Sequence, residues 1–166
     1  APPSNNYLTK SDLSSVERWY PLKVLVCESC WLTQTEDYNQ AEDLFTDTYA
    51  YLSSTSKSWL DHAKAYSEQI ISDLKLSNNS FVIELACNDG YLLKNFVAKG
   101  IPCLGIEPTL STAKIAEKNG IPVLKEFFGE TIGNELSSAG KQADLIIANN
   151  VYAHVPDIND FTKGIK

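Results

Sequence analysis

The stretch VIELACNDGYLL, residues 82–93, joins two apolar runs through a short polar turn. Its first half is short, apolar and rich in branched residues, which reads as a buried strand. Asn88, Asp89 and Gly90 mark the turn, and the run that follows predicts a helix over 91–99. Glu84 lies inside the apolar run. A carboxylate at the end of a buried strand is costly unless something answers its charge, so the stretch raises the question of what that partner is.

Working outward, the same alternation repeats. FVIEL (81–85), CLGIE (103–107), PVL (122–124) and ADLIIAN (143–149) read as strands. Helices are predicted over 91–99, 109–119, 129–138 and from 157 onward. Aliphatic strands separated by helices imply parallel β-α units with right-handed crossovers and helices on both faces. The expected fold is therefore a doubly wound α/β sheet, incomplete at the C-terminus after its fourth strand. Upstream, SKSWLDHAKAYSEQIISDLKL carries Trp59, Ala63, Tyr66, Ile70 and Leu74 at helical spacing, with Ser56 as the expected N-cap. His62 falls on the polar side of that helix and reads as solvated surface. A short acidic helix is expected within 40–49. YPLKVLVCESCWLTQ reads as two short strands joined by a turn that carries Cys27 and Cys30.

The 166 residues suffice for one domain with a sizeable core and a small appendage. A net charge of −7 with Arg18 as its one arginine argues against a nucleic-acid partner. No apolar stretch approaches a membrane span of roughly 20 residues, and nothing at the N-terminus reads as a secretion signal. The four cysteines suit a reducing, cytoplasmic setting. The absence of methionine, even at position 1, points to a piece of a longer protein or to a trimmed start.

In open α/β sheets ligands bind at the carboxyl ends of the strands. The unusual polar residues here fall at such ends: Glu84 and Asn88 at the first, Glu107 before Pro108 at the second, Asn149 and Asn150 at the fourth. A turn delivering backbone N–H groups to a helix start suits an anionic group, and Glu107 is placed to accept hydrogen bonds from a ribose diol. A dinucleotide requires G-x-G-x-x-G, whereas this turn has Ala86 and Asn88 before Gly90. That disfavours a nicotinamide-dependent oxidoreductase. E-x-A-x-N-x-G, followed by an acid at the next strand end, is instead the spacing of the S-adenosylmethionine site in class I methyltransferases. The partner of Glu84 is then the methionyl ammonium; the competing reading is a satisfied turn N–H.

The segments NNYLT, WYPLKVLVCESCWLTQ, YLSSTSKSWLDHAKAY, ELACNDGYLL, GIPCLGIEP, GIPVLKEFFG and NNVYAHVPDINDF occur in this order. With them the chain resembles the sugar C-methyltransferases that act on nucleotide-linked 4-keto-deoxysugars. The resemblance implies a Rossmann-like class I methyltransferase domain, here 51–166, preceded by a remnant of a zinc module, 1–50. It implies S-adenosyl-L-methionine as cofactor, a nucleotide-linked sugar as substrate, and methylation of the carbon beside the sugar ketone. Family members hold a structural zinc with two C-x-x-C pairs; only Cys27 and Cys30 are present, and two thiolates do not close a zinc site.

His154 matches the family's active-site histidine, a hydrogen-bond donor or proton relay at the enolate; helix capping is the alternative. Ala86, Cys87, Asn88, Gly90 and Pro108 line the expected cofactor site with Glu84 and Glu107. Asn149 is expected to hold the cofactor's amino-acid part or the sugar, or else to cap a strand. One of Phe127 and Phe128, with Phe128 favoured, is expected near adenine, although core packing also accounts for such rings. Tyr51 and Ser54 are expected in a lid. A cofactor-binding fragment without turnover remains a further reading. The identity of the sugar and the oligomeric state are not encoded in any motif.

Overall fold

The computed structural model describes Pro2 and residues 7–38, 41–46 and 49–166, with the side chains of Glu42 and Asp43 excepted. The predicted acidic helix is partly outside these residues; within them, α1 spans Ala41–Leu44. The chain divides into two compact units, Ala1–Tyr51 and Leu52–Lys166. Among the described residues no helix is long and apolar enough to cross a membrane.

The first unit is built on an antiparallel pair, β1 (Val24–Val26) and β2 (Thr33–Thr35), with Leu25 opposite Gln34. Cys27 N–H donates to Leu32 O, and Trp31 N–H donates to Cys27 O, both at 2.9 Å, closing the turn. Trp31 takes a left-handed conformation, φ 64°, to let the chain reverse. A Lys23–Glu36 ion pair at 3.1 Å joins the strands' far ends. Every strand residue is exposed, so hydrogen bonding rather than a core holds this pair.

In the second unit, α2 runs Lys57–Leu74. The Ser56 hydroxyl accepts from Trp59 N–H at 3.3 Å, the cap expected from SKSW. Four units follow: β3 (Val82–Leu85) with α3 (Leu93–Val97), β4 (Cys103–Ile106) with α4 (Leu110–Lys118), β5 (Val123–Leu124) with α5 (Glu130–Ser138), and β6 (Leu145–Ile147) with α6 (Ile158–Ile165). All strands are parallel in the order β5-β4-β3-β6, with Ile83 paired to both Leu104 and Ile146. That is the 3-2-1-4 half of a Rossmann-like α/β sheet, and it places the switch in strand order between β3 and β6.

Predicted and observed bounds differ at the ends. The strand expected over 143–149 is three residues long, because β6 finds partners only along Val82–Glu84. The helix expected from 91 starts at Leu93, leaving Tyr91 and Leu92 in the turn.

Alternation along β3 sorts the core into two faces. Val82 joins Leu92, Leu93, Phe96 and Ala116 on the side covered by α2, α3 and α4. Ile83 and Leu85 join Leu104, Ile106, Leu136 and Phe161 on the side covered by α5 and α6. Glu84, two residues from Val82, points to the first side and is only 1% exposed. At the crossing of α5 and α6 a Cβ on Gly133 would meet the backbone of Gly164, so only glycine lets the two helices approach this closely.

Candidate functional site

The β3–α3 turn alternates in hand. Ala86, Asn88 and Gly90 have φ of 55°, 53° and 78°, while Cys87 and Asp89 between them do not fall in the left-handed region. A left-handed Ala costs about 1–2 kcal/mol, so the turn survives only because its surroundings over-determine it. Asn88 N–H donates to Glu107 Oε2 and Thr109 N–H to Glu107 Oε1, both at 2.9 Å. From the other side Ser53 N–H donates to Asn88 Oδ1 at 2.9 Å and Ser54 N–H to Asp89 Oδ2 at 3.0 Å. Asn119 Nδ2 reaches Asp89 O at 3.3 Å. Glycine suits the Ala86 conformation without this cost, so Ala86→Gly is expected to stabilise the chain by about 0.5–1 kcal/mol in urea unfolding. A destabilised variant would show that the Ala86 methyl contributes contacts worth more than the strain.

Beside this turn lies a cleft of about 100 Å³, lined by Trp59, His62, Ala63 and Tyr66 of α2, Tyr91 and Leu92 after the turn, and Asn149 and Asn150 after β6. It therefore opens at the switch between β3 and β6. Residues 59, 62, 63 and 66 fall on one helix face by their spacing. Trp59 stacks on His62 with centroids 5.2 Å apart and tilts against Tyr91 at 5.8 Å. The volume is below the ~300–1,000 Å³ usual for a whole small-molecule site. It suits one end of a ligand whose remainder lies over the strand ends.

The charge at the site is negative, and among the described residues no lysine or arginine lines the cleft. Burial pushes the Glu84 carboxyl well above the usual carboxylate range, the charges of Asp89 and Glu107 add to this, and the Leu93 N–H offsets a part. Glu84 Oε2 and Asp89 Oδ1 are buried without a hydrogen-bond partner. Burial, with Glu84 beside them, also raises the thiols: Cys103 to about 11, and Cys87 further. Both are inert apolar fillers, and a Cβ on Gly105 would strike the Cys87 sulfur.

Because Glu84 binds its proton more tightly folded than unfolded, its contribution to stability is complete below pH ~4.5. That contribution is lost as pH rises from there through the raised folded value. Urea unfolding of the ligand-free chain across that window should show stability falling, and Glu84→Gln should flatten the fall. An identical pH dependence in the two proteins would remove Glu84 as its source.

Of the residues singled out from sequence, Glu84, Cys87, Asn88, Gly90 and Glu107 are buried together, Ala86 is half-buried among them, and Pro108 continues from Glu107. Ser54 belongs to it through its backbone N–H. Asn149 and Asn150 line the cleft. Phe128 does not: its ring meets Phe161 edge-on at 5.3 Å in the core under α5 and α6, on the other face of the sheet. Tyr51 ends the first unit and is half-exposed. His154 sits exposed in a 3-10 turn, Tyr152–His154, its N–H donating to Val151 O at 2.8 Å, and is not among the cleft's lining residues.

Sequence reasoning missed Trp59, His62, Tyr66 and Tyr91 as lining the candidate cleft. The usable signal was a polar ring at 62 beside the apolar stripe of α2.

In the first unit, backbone N–H groups of Cys30 and Ser29 lower the Cys27 thiol. No group of three or more His, Cys, Asp or Glu among the described residues could hold a metal ion. Two thiols alone do not fit a tetrahedral zinc.

Residues 1–45 match a family described as "Putative zinc binding domain". Over 164 residues the chain is 27% identical to C-methyltransferase NovU of Streptomyces niveus, covering 99% of this chain and 39% of that protein. The chain thus spans about two-fifths of the length of this curated relative. Among solved structures it is similar to magnesium protoporphyrin IX methyltransferase of Synechocystis PCC 6803 with bound SAM. The identity is 16%, the coverage 58% of this chain and 47% of that one, and the TM-score 0.45. A SAM dependent methyltransferase from Archaeoglobus fulgidus is 20% identical, covers 46% and 33%, and has a TM-score of 0.38. Likeness at this level carries no argument about activity; the fold assignment stands on the strand order.

Proposed function

We propose that the second unit is the cofactor-binding part of an S-adenosylmethionine-dependent C-methyltransferase whose substrate is a nucleotide-linked 4-keto-deoxysugar. The observation that carries this reading is the buried, unpartnered Glu84 oxygen beside a left-handed turn at the strand-order switch. An orphaned buried carboxylate oxygen fits a ligand ammonium, which supplies both charge and hydrogen bonds. The similarity to C-methyltransferase NovU, over 99% of this chain and 39% of that protein, supports carbon as the acceptor.

The cofactor, when bound, supplies an electrophilic methyl group. Glu84 holds its ammonium, and the Glu107 carboxylate retains lone pairs for the ribose hydroxyls after accepting its two N–H groups. Asn149 and Asn150 offer carboxamides to the polar end of the ligand in the cleft. His154, exposed four residues past Asn150, is the group for moving the proton or hydrogen-bonding the sugar's developing oxyanion. Cys27 and Cys30 contribute two thiolates to a structural zinc whose other ligands lie outside the described residues. The free cysteines suit the cytoplasm.

Titration calorimetry with S-adenosylhomocysteine, and NAD in parallel, tests the reading. One equivalent of the homocysteine compound should bind and NAD should not. Binding of NAD alone would replace it with an oxidoreductase.

A further inference from the structure

The cleft at the switch between β3 and β6 has a floor and a rim of different chemistry. Its floor is apolar: Ala63, Tyr91 and Leu92 are 3%, 5% and 0% exposed. Its rim is polar but uncharged, with His62, Asn149 and Asn150 exposed there. Among the described residues that line it there is no carboxylate, lysine or arginine. The His62 imidazole stacks at 21° on Trp59, which also packs against Tyr91. Stacking fixes the plane of the imidazole and keeps its two nitrogens at the ring's edge, where they hydrogen-bond in that plane.

This composition selects a class of ligand. A diphosphate needs cationic partners, and the zwitterionic end of an amino acid needs a charge for each of its groups. The lining offers neither. A neutral ring with a C–H face and oxygens at its edge meets floor and rim together, apolar on apolar and oxygen on imidazole or carboxamide.

The strand order adds a position. Glu107 follows β4, Glu84 belongs to β3, and the cleft lies at the end of β6 on the other side of β3. Glu84 and Glu107 are not among its lining residues. A cofactor held by those two acids therefore has the cleft across the end of β3, on the side from which an acceptor can approach.

We propose that the cleft is the acceptor subsite and takes the deoxysugar ring itself. The deoxygenated carbon lies on the floor of Ala63, Tyr91 and Leu92, and the sugar oxygens meet His62, Asn149 and Asn150. The diphosphate and the nucleoside stay outside. The inference rests on the sugar substrate proposed above. It adds the place of the ring, a preference for a deoxy carbon, and His62 as a residue that touches substrate.

The chain has two histidines, so proton NMR resolves the His62 ring once His62→Ala has assigned its signals. The probes are the methyl glycosides of 6-deoxyglucose and of glucose, which differ by one hydroxyl, added with and without S-adenosylhomocysteine. The deoxy glycoside should move the His62 signals saturably, and do so with the cofactor product present. The glucoside should bind at least about fivefold more weakly, because its extra hydroxyl would be buried without a partner. His62→Ala, an exposed position, should weaken the deoxy glycoside about five- to tenfold, read from the ligand's own signals. Binding that leaves the His62 signals unmoved, or equal binding of the two glycosides, would overturn the subsite. So would competition between glycoside and S-adenosylhomocysteine, which would give the cleft to the cofactor. A chain that binds S-adenosylhomocysteine and neither glycoside would overturn the subsite and leave the cofactor reading standing. Binding of none of the three would remove both.

Discussion

Gly90→Ala is expected to destabilise the second unit by about 2–5 kcal/mol. Two costs add. Gly90 has φ 78°, which an alanine adopts only against its own Cβ. The new methyl would also overlap the Ile121 Cδ1 and lie 3.2 Å from Ala116 Cβ and 3.3 Å from Ala116 Cα. Ile121 is 2% exposed and Ala116 fully buried, so neither can move aside without disturbing the core that joins α4 to the turn. Urea unfolding should show a lower midpoint at unchanged slope. Affinity for S-adenosylhomocysteine should fall with it, because the same turn carries Asn88 and Asp89. A variant within ~0.5 kcal/mol of the parent would mean that the turn is not clamped as described.

Glu107→Ala comes second, at about 2–4 kcal/mol. The carboxylate that was expected to meet a ribose is first of all the acceptor for Asn88 N–H and Thr109 N–H. Both residues are buried, at 8% and 1% exposed, so water cannot replace what alanine removes. Loss of cofactor affinity in this variant alone would therefore not identify a ribose contact. Glu107→Gln separates the two effects. Its carbonyl can accept one N–H while its amide cannot accept the other, so roughly half of the stability loss should remain. An affinity that falls further than stability in Glu107→Gln would isolate the ligand's share. Unchanged stability in Glu107→Ala would refute the structural role of the carboxylate.

The same residue shows how the two sources of information divide. That an acid ends the strand before Pro108 is legible from CLGIEP, because strand period and proline punctuation are local. That its two oxygens are taken by residues on separate loops is not, since Asn88 lies nineteen positions away along the chain. Phe128 makes the same point in the other direction. FFG after a short strand placed a ring near the ligand end, but the long-range contact with Phe161 draws it into the opposite core.

His62 was legible only as a polar helix position. Its place beside the cleft depends on how α2 lies against Tyr91 and Asn149, which no periodicity encodes.

The sequence by itself determined the alternation of strands and helices, the Ser56 cap, the knuckle around Cys27 and Cys30, and the acidic, glycine-ended turn after β3. Each follows from the stereochemistry of neighbouring residues: two-residue and 3.6-residue periods, caps, and the conformational freedom of Gly90. Only the tertiary structure decided the strand order β5-β4-β3-β6, the clamp on the turn, the aromatic wall of the cleft, and the fact that Glu84 is buried with an unanswered oxygen. Those properties arise where segments distant in the chain meet, and the free energy of such meetings depends on burial and partners that no single segment contains.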